Sequence, residues 1–158
     1  MDRDSDARLD ELLAQENELQ LDSFTNADAV RIGLRLLEIA QDDGLPIAID
    51  IARNGHQLFH AGLPGRSPDN DLWIQRKNRV VNNFGHSSLY MGLRYRSQNS
   101  SIETKSLLPE SQYAPHGGAF PVIIKNVGVV GTITVSGLPQ EDDHALVVRV
   151  LREIIDAP

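Results

Sequence analysis

Trp73, Lys77, Val80, Val81 and Phe84 recur at helical spacing, which sets one ammonium group in the middle of an apolar, aromatic stripe. A buried, unpaired ammonium is costly. Lys77 must therefore run its methylene stem out to water, pair inside the protein, or meet an anion from a ligand or a second subunit. Arg76 and Arg79, one step around the same helix, would widen an anion site. A second constellation is Pro115-His116-Gly117-Gly118. Two successive glycines let backbone N–H groups converge on an anion, and His116 beside them has the chemistry of an acid, a base or an axial metal ligand. A plain turn before a strand accounts for the same four residues.

The other histidines carry less. His56 and His60 have the i,i+4 separation of helical metal ligands, but they fall on a strand, where about 3.3 Å of rise per residue puts them roughly 13 Å apart. His86 lies beside a helix stop, and His144 follows Glu141, Asp142 and Asp143 in a first helical turn, where a simple charge pair suffices. No Ser-His-Asp set, phosphate loop or dinucleotide fingerprint stands at useful spacing. With no cysteine, thiolate catalysis, zinc-thiolate sites and disulfide scaffolds are excluded. No metal site is expected.

The elements that must position these groups read as follows. Asp6 to Asn17, with Leu9, Leu12 and Leu13, predicts a short amphipathic helix, and Leu19 to Phe24 alternates like a strand. Thr25-Asn-Ala-Asp28 resembles a capping box and opens a helix with an expected inner stripe of Val30, Leu34, Leu37 and Gln41, closed by Gly44. Ile47, Ile49 and Ile51, then Asn54-Gly55, then His56 to His60 predict a hairpin with a type I′ turn. Ser67-Pro68 caps a helix that runs to Phe84 and stops at Gly85; Ser87 or Ser88 caps another, through Tyr95. Residues 97–114 have no clear period and read as an ordered connection with room for one short turn. Phe120 to Lys125 and Val127 to Val135 form a second hairpin, and a final helix turns Ala145, Val148 and Ile155 inward. Helices around strands predict a layered α/β domain, and 158 residues with 41% hydrophobic content suit one domain spanning 1–158.

Charge narrows the partners. The net charge is −7, yet residues 53–96 hold seven bases against Asp69 and Asp71. An acidic protein with a basic middle repels nucleic acid at long range but can hold one local anion, and a solvated or subunit-facing basic surface explains the same segment. The start lacks the apolar run of a secretory signal, and Val127 to Val135 is too short and too broken to span a bilayer, so a cytoplasmic protein without a membrane partner is expected.

Several strings occur together: Pro68-Asp-Asn-Asp-Leu-Trp-Ile-Gln-Arg-Lys77, Phe84-Gly-His-Ser-Ser88, His116-Gly-Gly-Ala-Phe-Pro121, and Gly131-Thr-Ile-Thr-Val-Ser-Gly-Leu-Pro-Gln140 followed by Asp143-His144. Over residues 8–156 the chain resembles the haem-degrading-domain family, and within it an uncharacterised cytosolic branch. The resemblance implies the GlcG/HbpS-type fold, a five-stranded antiparallel sheet flanked by helices, and assembly into dimers or larger rings. Some relatives bind haem or take part in its breakdown, and related domains are fused to corrinoid enzymes; haem is the cofactor the resemblance allows. The matching strings carry over Asp69, Asn70, Trp73, Arg76, Lys77, His86, His116, Gly117 and Gly118 as pocket residues.

The leading expectation is a binding protein for a small anionic ligand, haem or another tetrapyrrole among them, in a homo-oligomer. Arg76 and Lys77 would neutralise the ligand, Gly117 and Gly118 would cradle it, and Asp69 or His116 would orient it or move a proton. An enzyme using His116 as general acid and base, and an adaptor oligomer whose Trp73 to Phe84 stripe is a subunit contact, are the alternatives.

Overall fold

Strand alternation does most to arrange this chain, because the central sheet has one apolar and one polar face. The computed structural model describes residues 3–157. Its elements are α1 (Arg3–Glu18), β1 (Gln20–Leu21), α2 (Asn26–Asp43), β2 (Ala48–Arg53), β3 (His56–Gly62), α3 (Pro68–Phe84), α4 (Ser88–Ser97), α5 (Ile102–Ser106), β4 (Ala119–Ile124), β5 (Gly128–Ser136) and α6 (Gln140–Asp156). The five strands run in the order β1-β4-β5-β2-β3. The pairs β2–β3, β2–β5 and β4–β5 are antiparallel, whereas β1 lies parallel to β4. The α/β layering is as expected, but the sheet is mixed rather than wholly antiparallel, since the chain reaches β4 only after the whole β2–α5 segment. The strand expected over Leu19 to Phe24 shrinks to Gln20 and Leu21 at the sheet edge.

Local signals account for much of this. Thr25 Oγ1 accepts from the Asp28 amide at 3.1 Å and Asp28 Oδ2 accepts from the Thr25 amide at 2.8 Å, closing the capping box of α2. Gly44 ends that helix in the left-handed region. Asn54 and Gly55 both take positive φ, as the hairpin turn between β2 and β3 requires. The connection after α4 holds one short helix, α5, capped by Ser101.

On one face of the sheet Ile49, Ile51, Phe120, Val122, Ile133 and Val135 pack with α2 and α6 into the main core. Across the register on the other face stand Ala48 with Ser136, Asp50 with Thr134, and Ala52 with Thr132. Asp50, Thr132, Thr134 and Ser136 are all buried there, beneath α3. A smaller core joins Leu12 of α1 to Val80, Leu89, Tyr95 and Ile102.

The inner stripe of α2 differs from the expected one. Ala29, Ile32, Gly33, Leu36, Ile39 and Ala40 are buried, while Val30, Leu34 and Gln41 face outward and Leu37 is half-buried. Both arcs of this helix are apolar, so periodicity alone does not choose between them; the packing of Phe59 on Gly33 does, because a Cβ on Gly33 would come within 2.3 Å of that ring. In α6, Val148 is buried and Ile155 half-buried, but Ala145 is exposed. Gly33→Ala should lower stability by about 1–3 kcal/mol through overpacking, and Phe59→Ala in the same chain should recover part of the loss. Urea midpoints of the two single variants and the double variant test this, and strict additivity would show that the contact does not orient α2.

Candidate functional site

α3 is seated over the polar face of the sheet by its own N-terminus. The Asn70 side-chain carbonyl accepts from the Ser67 amide at 3.2 Å, and its Nδ2 reaches Ser136 Oγ at 3.5 Å. Two turns on, Lys77 descends into the protein. It is only 4% exposed, and its Nζ donates to the Val135 carbonyl and to Asp143 Oδ2, each at 3.3 Å. Asp143 is as deeply placed, at 1% exposure, and accepts also from the backbone N–H groups of Leu138 at 2.9 Å and Gly137 at 3.3 Å. Of the fates open to Lys77, internal pairing is realised, and the partner comes from the three-acid run that opens α6. Asp143 reads in sequence as a helix-terminus charge; nothing local marks it as the lysine's partner.

Burial pushes both groups toward neutrality. It lowers the Lys77 pKa against the attraction of Asp143, and it pushes Asp143 up to about 6 against the attraction of Lys77 and the two amides. The pair forms the floor of a cleft of about 400 Å³ that is also lined by Asn70, Trp73, His116, Ser136, Leu138 and Gln140. The His116 ring stands edge-on to Trp73, centroids 5.8 Å apart, and the Arg76 guanidinium lies 4.5 Å over the Trp73 ring. Burial holds the His116 pKa below its ordinary value, and the positive charges of Arg96, Lys77 and Arg76 add to that. The imidazole is therefore neutral at neutral pH, within a positive field.

Four of the residues singled out by sequence thus meet: Asn70, Trp73, Lys77 and His116. Arg76 adjoins them through Trp73, but its guanidinium also donates to the Glu110 carbonyl, at 2.5 and 3.1 Å, tying the connection before β4 to α3. Arg79 does the same at the Gln112 carbonyl. Asp69 is exposed in the first turn of α3 and does not line the cleft. His86 is elsewhere, its Nδ1 3.1 Å from both carboxylate oxygens of Glu16 and its ring against Tyr90, where it ties α1 to the start of α4. Gly117 does not offer a free amide, because its N–H donates to Gln140 Oε1 at 3.0 Å. The two glycines are needed for close approach instead: a Cβ on Gly117 would lie 2.3 Å from the Gln140 carbonyl oxygen, and one on Gly118 would lie 2.7 Å from Lys77 Nζ. Sequence reading missed Ser136 at the end of β5 and Gln140 and Asp143 in the first turn of α6, because only tertiary contact brings them to α3.

Residues 24–152 match the family described as haem degrading protein, HbpS-like. The chain belongs to that family. Among relatives of this HbpS-like chain are a UPF0303 protein of Streptomyces avermitilis, 51% identical over 148 residues that cover 94% of this chain and 91% of the relative, and one of Psychromonas ingrahamii, 42% identical over 93% and 92%. Among solved structures, the Ybr137w protein is 36% identical and superposes with a TM-score of 0.85, covering 92% of this chain and 86% of its own. HbpS itself, at 20% identity and TM-score 0.66 over 87% and 94%, shares the fold. So does a protein solved as a PduOC:Heme complex, at 14% identity and TM-score 0.68 over 82% and 94%.

Beside Asp143, His144 is 1% exposed, with Nε2 2.7 Å from Gln15 Oε1 and Nδ1 without a hydrogen-bond partner. Burial lowers its pKa from 6.5 to about 4. Unfolded His144 binds a proton below its ordinary pKa but the folded residue does so only near 4, so acidification through that window favours unfolding. Asp143 has the opposite sign: folded, it takes its proton near 6, above the ordinary 3.8, so acidification between those values favours folding. The two slopes oppose each other. His144→Gln should therefore lose about 2 kcal/mol less than the parent between about pH 7 and pH 4.5. Parallel urea titrations at the two pH values check this, and equal losses would remove His144 as the acid-sensitive group.

Proposed function

We propose that this HbpS-like chain binds a small anion, a carboxylate or phosphate, in the cleft between α3 and the turn from β5 into α6. The observation that carries this is the buried Lys77, placed at the floor of an open cleft where Arg76 and Arg96 add positive potential at His116. Lys77 is the primary charge, Asn70 and Ser136 are hydrogen-bonding groups beside it, and His116 orients the ligand as a neutral imidazole. Asp143 is the internal competitor for Lys77, so the site is electrostatically tunable. When Asp143 takes a proton near 6, Lys77 becomes available to the ligand; His116 gains charge on further acidification. Anion affinity should rise as pH falls.

Haem is the second reading, favoured by the family's name and by the neutral imidazole of His116. The cleft of a single chain does not fit the macrocycle well, since Trp73 and Leu138 are the only large apolar side chains among its lining residues. A haem site would need walls from a second subunit. The proposed homo-oligomer rests on the outward apolar residues of α2, Val30 at 42% and Leu34 at 54% exposure. Among the described residues no helix is long and apolar enough to cross a membrane, and a cytoplasmic location is part of this proposal.

Trp73 is the single tryptophan of the chain and lines the cleft, so its fluorescence reports occupancy. Titration with benzoate or inorganic phosphate should saturate, the benzoate affinity should tighten several-fold between about pH 7.5 and pH 5.5 as Asp143 becomes protonated, and both should lose at least about tenfold in affinity in a folded Lys77→Met variant. Asp143→Asn should bind more tightly than the parent at neutral pH and flatten the pH response. An unchanged affinity in both variants would remove the cleft as the anion site. Absorption titration with haemin, with mass followed by light scattering, tests the second reading: a saturable shift lost in His116→Ala supports haem, and a flat titration of an intact oligomer removes it.

A further inference from the structure

α3 has a second flank, and its chemistry is opposite in sign. Asp71, Ile74, Gln75, Asn78 and Asn82 recur along one side of the helix, away from Asn70, Trp73 and Lys77. With strands β2, β3 and β5 they enclose a separate cleft of about 380 Å³. Its floor is the polar sheet face, where Asp50 of β2 is 5% exposed. Asp50 is held from two sides: Gln57 Nε2 of β3 donates to Oδ1 at 2.6 Å, and Asn78 Nδ2 of α3 donates to Oδ2 at 3.3 Å. The orientation of Asn78 is set in turn, because its Oδ1 accepts from the Thr134 hydroxyl. At the mouth, His60 Nε2 lies 2.8 Å from Asp71 Oδ1.

The charge balance is what this arrangement leaves open. Two amides orient the Asp50 carboxylate but bring no charge, and a carboxylate has lone pairs beyond the two they use. Among the described residues no lysine or arginine lines the cleft, and none forms an ion pair with Asp50. A nearly buried carboxylate without a counter-charge is expensive. Here it sits at the bottom of an opening large enough for a small molecule. The remaining lining groups, the Gln75 and Asn82 amides and the Thr132 hydroxyl, offer neutral hydrogen bonds. Ala52 and Gly131 complete the floor without a bulky side chain.

We infer that this cleft is a binding site for a small organic cation, a protonated amine whose ammonium meets Asp50 and whose hydroxyl groups meet the surrounding amides. The site is independent of the anion cleft: the two share α3 but no lining residue. An ammonium there would form a charge-assisted contact with Asp50 and a second, more exposed one with Asp71. His60, paired to Asp71, holds that carboxylate at the rim.

N-methylglucamine, a protonated polyhydroxy amine, and sorbitol, its uncharged counterpart, separate charge recognition from hydroxyl recognition. With the full chain labelled with nitrogen-15, N-methylglucamine should shift the side-chain amide signals of Gln57, Gln75 and Asn78 saturably, and sorbitol should bind at least about tenfold more weakly. Asp50→Asn keeps the side-chain shape and should weaken the amine about tenfold or more while leaving sorbitol unchanged. Asp71→Asn, at a partly exposed helix position, should weaken it several-fold and serves if the buried substitution impairs folding. Saturating benzoate should leave amine binding intact, which separates this site from the anion cleft. Equal binding of amine and sorbitol, equal amine affinity in the parent and both aspartate variants, or no saturable shift with either probe would each overturn the assignment.

Discussion

Lys77 and Asp143 come from opposite halves of the chain and meet almost out of reach of water, and the arrangement around them depends on that contact. Asp143 accepts from the amides of Gly137 and Leu138, so the carboxylate that holds Lys77 also shapes the turn carrying β5 into α6. Lys77 donates as well to the Val135 carbonyl at the end of β5. One ion pair thereby fixes helix, strand and turn at a single point. Removing either partner alone would leave a buried charge without its counterpart, which costs far more than a surface ion pair contributes. Its location beneath an open cleft ties the cost to the proposed anion site.

The same economy appears across the whole polar face of the sheet. A sheet covered on both sides ordinarily buries apolar residues on both. Here Asp50, Thr132, Thr134 and Ser136 lie under α3, where Gln57 and Asn78 donate to Asp50, Thr134 donates to Asn78 and Asn70 reaches Ser136. That layer leaves a cleft along each flank of α3. One flank carries Lys77 and His116, the other Asp50 and Asp71. A single helix therefore separates two clefts of opposite electrostatic character, each with a nearly buried ionisable group as its floor.

Family membership and site chemistry bear on different levels of this description. The Ybr137w likeness extends to sequence as well as shape, whereas the likeness to HbpS and to the PduOC:Heme complex is one of fold. A fold can host several ligands, and the family's name attaches to haem. The cleft in this chain is mostly polar, and its ionic floor suits a compact anion better than a macrocycle. Its Trp73 and Arg76 stack is braced by the Glu110 carbonyl, so the one large aromatic wall is held rigidly by a connection without sequence periodicity.

By itself the sequence determined the features whose causes are local. The Thr25 capping box, the Asn54-Gly55 turn, the stop at Gly85 and the helix bearing Lys77 on an apolar stripe were all legible, because each depends on backbone geometry within a few residues. The matching strings pointed to the family, and Asn70, Trp73, Lys77 and His116, four of the nine pocket candidates they carried over, meet at one cleft. Tertiary structure decided the rest. It chose the inner face of α2 through the fit of Phe59 on Gly33, since both arcs of that helix are apolar. It moved His86 to Glu16 and left Asp69 in solvent, although both belong to the same familiar strings. It selected Asp143 from three consecutive acids and set Asp50 opposite Asn78. Ion pairing and amide orientation depend on distances between segments far apart in the chain, and no spacing along it encodes those distances.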